Sequence, residues 1–173
     1  NFISRLNLRP VSGGDRSLYY NCHFESTDDA LNGNAVYEKC SFDFYGGRPL
    51  YDTYGSGAVF LDCDFNSKLM NVKSEVHQYF TKAGGPVTAI DCRFHYDYGN
   101  IADVDINWTK YPLSSLRCYS YNLTKNEDGF SIESGATIDL TGKKLLNAYR
   151  LTSNDKIIYN TYNLLRGNDD WDP

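Results

Sequence analysis

A chain of 173 residues, 41% apolar and 23% charged, has room for one packed domain and the make-up of a globular protein, which excludes intrinsic disorder as its main state. Its formal net charge of −5, without a long basic run, excludes a generic nucleic-acid binder, which needs a phosphate-neutralising face. No apolar stretch reaches the length of a membrane-spanning helix, so a soluble chain without membrane insertion is expected.

Asn1 to Arg9 reads as one strand and its exit, and Pro10 to Arg16 as a turn around Gly13-Gly14. The chain opens on Asn1 with no initiator Met and no signal-like segment, so processing or excision from a longer protein is expected. From Ser17 onward one pattern recurs: Leu18-Tyr-Tyr-Asn-Cys22-His-Phe24, Val36-Tyr-Glu-Lys-Cys40-Ser-Phe42, Val59-Phe-Leu-Asp-Cys63-Asp-Phe65, Thr88-Ala-Ile-Asp-Cys92-Arg-Phe94 and Ser114-Ser-Leu-Arg-Cys118-Tyr-Ser120. A polar residue precedes each Cys, and four of the five have Phe two places later. Alternation puts Cys and Phe on one face of a strand and the polar neighbours on the other. The Cys-to-Cys intervals of 18, 23, 29 and 26 residues mark a solenoid with one Cys per repeat. A constant strand motif at variable intervals predicts an all-β fold, a right-handed parallel β-helix, with all five cysteines in one inward ladder. Five cysteines cannot all pair, and none forms Cys-x-x-Cys, so buried reduced thiols are expected rather than a zinc site.

Surplus length is assigned to loops at Glu25–Asn34, Tyr45–Tyr54, Asn66–Lys82 and Tyr96–Pro112, the natural place for function on a rigid stack. Lys125 to Leu140 reads as one more rung, with a turn at Asn126–Gly129. Lys143–Leu151 and Ile157–Leu165 read as further strand or short-helix segments. Neither end shows an amphipathic capping helix, as an excised solenoid segment would lack one. The whole is read as a single domain over 1–173, with regular rungs over 1–124 and a last rung plus C-terminal extension over 125–173.

Several side-chain groups invite chemistry. Asp28 and Asp29, with Asp52 about one rung on, have the make-up of a glycoside-hydrolase acid/base pair or of a hydrogen-bonded loop start. Asp97, Asp103 and Asp105 match no EF-hand spacing and read as a solvated acidic loop rather than a calcium site. His23, His77 and His95 show no metal spacing, and His23 is expected on the outward face beside Cys22. Tyr45, Tyr54, Tyr98 and Trp108, all assigned to loops, suit stacking on sugar rings or anchoring the loops. The Tyr-to-Met ratio of 15 to 1 fits a sugar-facing protein. Asn107-Trp-Thr109 and Asn122-Leu-Thr124 are glycosylation sequons.

The stretch Arg5-Leu-Asn-Leu-Arg9, then Gly14-Asp-Arg16-Ser, Leu18-Tyr-Tyr-Asn-Cys22-His-Phe24 and Asp28-Asp29-Ala-Leu31 resembles the pectin methylesterase (pectinesterase) family in order and spacing. Val36-Tyr-Glu-Lys-Cys40 and Leu50-Tyr-Asp52-Thr-Tyr-Gly55 followed by Ala58-Val-Phe60-Leu-Asp-Cys63 continue the likeness. It covers residues 3–65 well, weakens to 120 and is absent beyond. The resemblance implies a pectin-lyase-like solenoid that removes methyl esters from pectin without metal or other cofactor. Asp52 would attack the ester carbonyl and Asp29 would serve as acid and then base. The glutamines that stabilise the family's oxyanion are replaced by Asp28 and Ser4. The family's Leu-Gly-Arg-Pro-Trp is replaced around Val104–Trp108, so Trp108 would stack sugar without the neighbouring Arg, and Arg48 is the candidate to orient Asp52. The expected partner is a polysaccharide, pectin or a related glycan, in a secreted or cell-surface setting, with possible flanking domains. A non-catalytic glycan-binding or structural module, and a polygalacturonan hydrolase or lyase, are the alternative readings.

Overall fold

The computed structural model describes residues 2–4, 11–13, 16–26, 31–46, 50–52, 57–68, 76–81, 86–96, 104–109, 118–125, 130–131 and 148–166. Short strands follow one another in threes. The first round is β1 (Phe2–Ser4), β2 (Val11–Gly13) and β3 (Leu18–Tyr20). The second is β4 (His23–Ser26), β5 (Leu31–Gly33) and β6 (Ala35–Glu38), and the third β7 (Ser41–Phe44), β8 (Leu50–Asp52) and β9 (Ala58–Leu61). Then come β10 (Asp64–Ser67), β11 (Val76–Thr81) and β12 (Val87–Ile90), followed by β13 (Arg93–Tyr96), β14 (Val104–Thr109) and β15 (Cys118–Tyr121). The described chain ends with β16 (Thr124–Lys125), β17 (Phe130–Ser131), β18 (Ala148–Arg150) and the helices α1 (Ser153–Ile158) and α2 (Thr161–Arg166).

Through these rounds each strand pairs in parallel with the strand three places on. Three sheets result: sheet A in the order β1-β4-β7-β10-β13-β16-β17, sheet B β2-β5-β8-β11-β14, and sheet C β3-β6-β9-β12-β15-β18. The fold is mostly β and built on parallel sheets, compatible with a parallel β-helix. Sheet B corrects the sequence reading, because β2 occupies the expected turn and β5, β8, β11 and β14 run through the expected loops. Three of these five strands are only three residues long, too short for alternation to announce them. A second correction concerns β17, which pairs antiparallel with β16 instead of starting another parallel rung.

In-register stacking sets like upon like. Phe24, Phe42, Phe65 and Phe94 align across sheet A, with successive ring centroids 5.0, 5.1 and 6.3 Å apart. Facing them, Tyr19, Tyr37 and Phe60 of sheet C stack at 5.2 and 5.0 Å. The two columns meet edge to face, as in Tyr37–Phe42 and Phe42–Phe60. Each buried ring contributes about 1.5–3 kcal/mol by leaving water, and each aromatic pair about 0.5–1.5 kcal/mol more.

Cys22, Cys40, Cys63 and Cys92 form a further column where sheet C turns into sheet A. Cys118 does not join it: β15 pairs Cys118 with Val87, and the next place in the ladder goes to Leu123, which is buried. At this corner Asn21, Lys39, Asp62, Asp91 and Asn122 all take φ between 48° and 53°. Short polar side chains tolerate this left-handed geometry; Lys39 is the exception.

Sheet C is covered on its outer side as well. The helix α2 rests on β6 with Leu165 buried, while Val36, Val59 and Ile90 lie outside the aromatic core and are still buried. The two helices have six residues each, too short for amphipathic periodicity to stand out in the sequence. Thr152 starts α1 with a capping box, accepting from the Asp155 backbone N–H at 3.2 Å and donating its own N–H to the Asp155 carboxylate at 2.8 Å.

Candidate functional site

Asp28, Asp29, Arg48, Tyr54 and Tyr98 lie outside the described residues, as do Asp97 and Asp103. Asp52 ends β8 and is therefore on a strand, not in the loop expected for it. Its register partner is Asn32, whereas Leu50 pairs with Leu31, so β8 carries one extra residue between the two pairs. Such a bulge interrupts a ladder and re-aims the backbone beyond it, and bulges concentrate beside active sites. Trp108 likewise belongs to a strand, β14, where the sequence suggested a loop. It shares sheet B with Asp52, two strands away, or about 10 Å along the stack. Tyr45 follows β7 on the way to β8, is exposed, and donates its hydroxyl to Glu25 at 3.4 Å.

The described side chains that do converge are on the outer face of sheet A, and sequence reasoning did not single them out as a group. They are the residues flanking the inward Phe of each strand. The Arg93 guanidinium grips Asp64 with two hydrogen bonds, 2.6 and 3.0 Å, and reaches Asp62 at 3.1 Å. His95 Nε2 lies 2.8 Å from the same Asp64 oxygen. One strand further, Asn66 donates to Asp43 at 2.6 Å. His23 Nδ1 and Ser41 Oγ are 2.7 Å apart, and His23 Nε2 is 4.0 Å from Asp43. The legible signal was the x-Phe-x pattern itself: in register, its flanking positions stack polar side chains on one another, Asp64 beside Arg93 and Asp43 beside Asn66.

Hydrogen bonds from Arg93 hold the Asp64 carboxyl below its usual range, with a smaller contribution from His95, against the opposing effect of burial. Asp64 is thus a fixed anion, unsuited to trading a proton near neutrality. Because its folded pKa lies below the unfolded value of about 3.9, its contribution to stability is present above that value and fades as pH falls through the folded one. Carboxyl NMR titration is expected to find Asp64 below 3.8, and Arg93→Gln to move it upward. An Asp64 midpoint unchanged by the substitution would show that Arg93 does not hold it.

A cleft of about 210 Å³ lies between sheet C and the C-terminal helices, floored by Leu61 and Ile90 and rimmed by Glu38, Asp62, Asp91 and Lys156. Its carboxylates are engaged: Asp91 with Lys156 at 2.5 Å and with Asn122 at 3.0 Å, Asp62 with Arg93, and Glu38 with the Thr161 hydroxyl. Among the described residues no three His, Cys, Asp or Glu side chains are grouped to hold a metal ion. No protein-family model matches the chain, and no curated protein or solved structure does so either.

Proposed function

We propose that this chain is part of a right-handed parallel β-helix of the pectin-lyase type, secreted or displayed at the cell surface, that removes methyl esters from pectin-like acidic polysaccharide along sheet B. The observation that carries the reading is the bulge at Asp52. It sits in the middle of a parallel sheet whose neighbouring strand β5 follows Asp29 by two residues in the sequence. Two carboxyl groups contributed from adjacent rounds suit a divided task. Asp52 attacks the ester carbonyl and Asp29 protonates the departing methanol. Asp29 then draws a proton from the water that releases Asp52. Asp28 and Arg48 tune this pair, and Trp108, Tyr54, Tyr45 and Tyr98 hold the sugar chain.

The test is acid release from methyl-esterified pectin. Asp52→Asn and Asp29→Asn are each expected to lower the rate by about 10³-fold while leaving the circular dichroism spectrum unchanged. Release that persists in Asp52→Asn overturns the assignment, and new reducing ends point to a hydrolase or lyase instead. A second reading, a glycan-binding module without catalysis, draws on Asp28 and Ser4 in place of oxyanion donors, since losing one such donor costs about 2.7–4 kcal/mol in the transition state. It predicts retention on a pectin gel with no acid released.

A further inference from the structure

Three polar side chains on the outer face of sheet A stand in the order that activates a hydroxyl. Ser41 and Asp43 flank the buried Phe42 on β7, so both project from the same side of the strand. β4 and β10 pair with β7 on its two sides, so neither residue lies at a sheet edge. His23 is the register partner of Ser41 on β4, and Asn66 that of Asp43 on β10. Asn66 holds Oδ1 of Asp43 at 2.6 Å, and Oδ2 is left 4.0 Å from His23 Nε2. A carboxylate on that side favours the imidazole tautomer with its proton on Nε2. The Nδ1 lone pair then faces Ser41 Oγ at 2.7 Å, and the hydroxyl donates to it. Hydroxyl, imidazole and carboxylate in that sequence are the parts of an activated nucleophile. Beneath them Phe24, Phe42 and Phe65 are stacked in the core, which fixes the spacing of the three strands.

We propose that Ser41 is a nucleophile for acyl transfer from small, uncharged carboxylic esters, with His23 as its general base. His23 Nδ1 takes the hydroxyl proton as Ser41 Oγ attacks the ester carbonyl. The ester C–O bond breaks, the alcohol departs with that proton, and the acyl group stays on Ser41. Water, losing a proton to the same nitrogen, attacks the acyl group; the acid leaves and the proton returns to Ser41. Asp43 is a positioning residue: 4.0 Å is too long for a hydrogen bond, but the carboxylate attracts the ring while the ring carries the proton. Asp64, the register partner of Ser41 on β10, sets the substrate class. As a fixed anion it repels acidic esters and the forming oxyanion alike, so uncharged acyl groups react and turnover is slow. Ser41 is partly exposed, which leaves its oxygen open to a small reagent.

The experiment treats the folded protein with diisopropyl fluorophosphate, whose P–F bond breaks as an activated serine oxygen joins phosphorus, and maps peptides by mass spectrometry. The expected result is one label, on Ser41, absent when the protein is treated in urea. p-Nitrophenyl acetate, quenched during turnover, is expected to leave an acetyl group on the same residue. His23→Gln keeps a hydrogen-bond acceptor but no base, and is expected to slow labelling by about 10²-fold; Ser41→Ala is expected to take up none. Asp43→Asn is expected to move the neutral His23 ring from the Nε2–H tautomer toward a mixture, read by heteronuclear NMR. No label, a label on another residue, or labelling as fast in His23→Gln overturns the proposal. So does an Nδ1–H tautomer of the neutral ring in the unsubstituted protein. The label reads independently of any activity on pectin, and the unsubstituted protein decides the question even if no variant folds.

Discussion

Phe42→Ala is expected to lower the free energy of unfolding by about 3–5 kcal/mol, the range for removing a large ring from a packed core. Phe42 is fully buried and stacks on Phe24 below it and Phe65 above it, while Tyr37 and Phe60 present their edges. Truncation therefore breaks one stack in its middle and leaves a cavity between two sheets. The surrounding strands cannot close that cavity without giving up their in-register pairing. Urea unfolding followed by tyrosine fluorescence measures the change, and a midpoint close to that of the parent would mean that the ring column does not carry the core. Phe94→Ala, whose stacked neighbour stands farther off at 6.3 Å, is expected to cost less.

Gly57→Ala is expected to be comparably damaging, about 3 kcal/mol, for a different reason. Gly57 precedes β9 at φ +85°, a region that side chains disfavour. A Cβ there would stand 2.2 Å from the Pro86 carbonyl oxygen, which already accepts a hydrogen bond from the Ala58 N–H at 3.2 Å. Backbone of one round rests on backbone of the next, so nothing flexible can yield. Thermal unfolding of the variant checks this, and an unchanged Tm would show that the two rounds are not in such close contact.

The sequence announced sheet A and sheet C because their strands carry an alternating inward set that repeats around a cysteine. Sheet B stayed hidden. Its strands at Val11–Gly13, Leu31–Gly33 and Leu50–Asp52 are three residues each, and they are held by pairing with the neighbouring strands rather than by any pattern of their own. Cys118 misled for a related reason. Arg117 before it imitates the polar residue that precedes the other cysteines, yet the left-handed residue of that round is Asn122, and Leu123 fills the buried place. The missing Phe after Cys118, where Ser120 stands, was the available warning. Asp52 was legible as a candidate through its motif, but the extra residue beside it is a property of pairing between strands and leaves no mark in one chain read alone. The network around Asp64 has the same origin: its partners are 29 and 31 residues away in sequence and become neighbours only in register.

The left-handed corner has an evolutionary consequence. Only Asn21 and Cys22 separate β3 from β4, and the same two-residue link recurs at Lys39-Cys40, Asp62-Cys63, Asp91-Cys92 and Asn122-Leu123. The links into and out of sheet B differ in length from round to round. The corner works as a spine that counts residues, and the other two edges are free to lengthen. Insertions that give such a scaffold new specificities should therefore accumulate along two edges only, and a segment grafted at the third should throw every later round out of step.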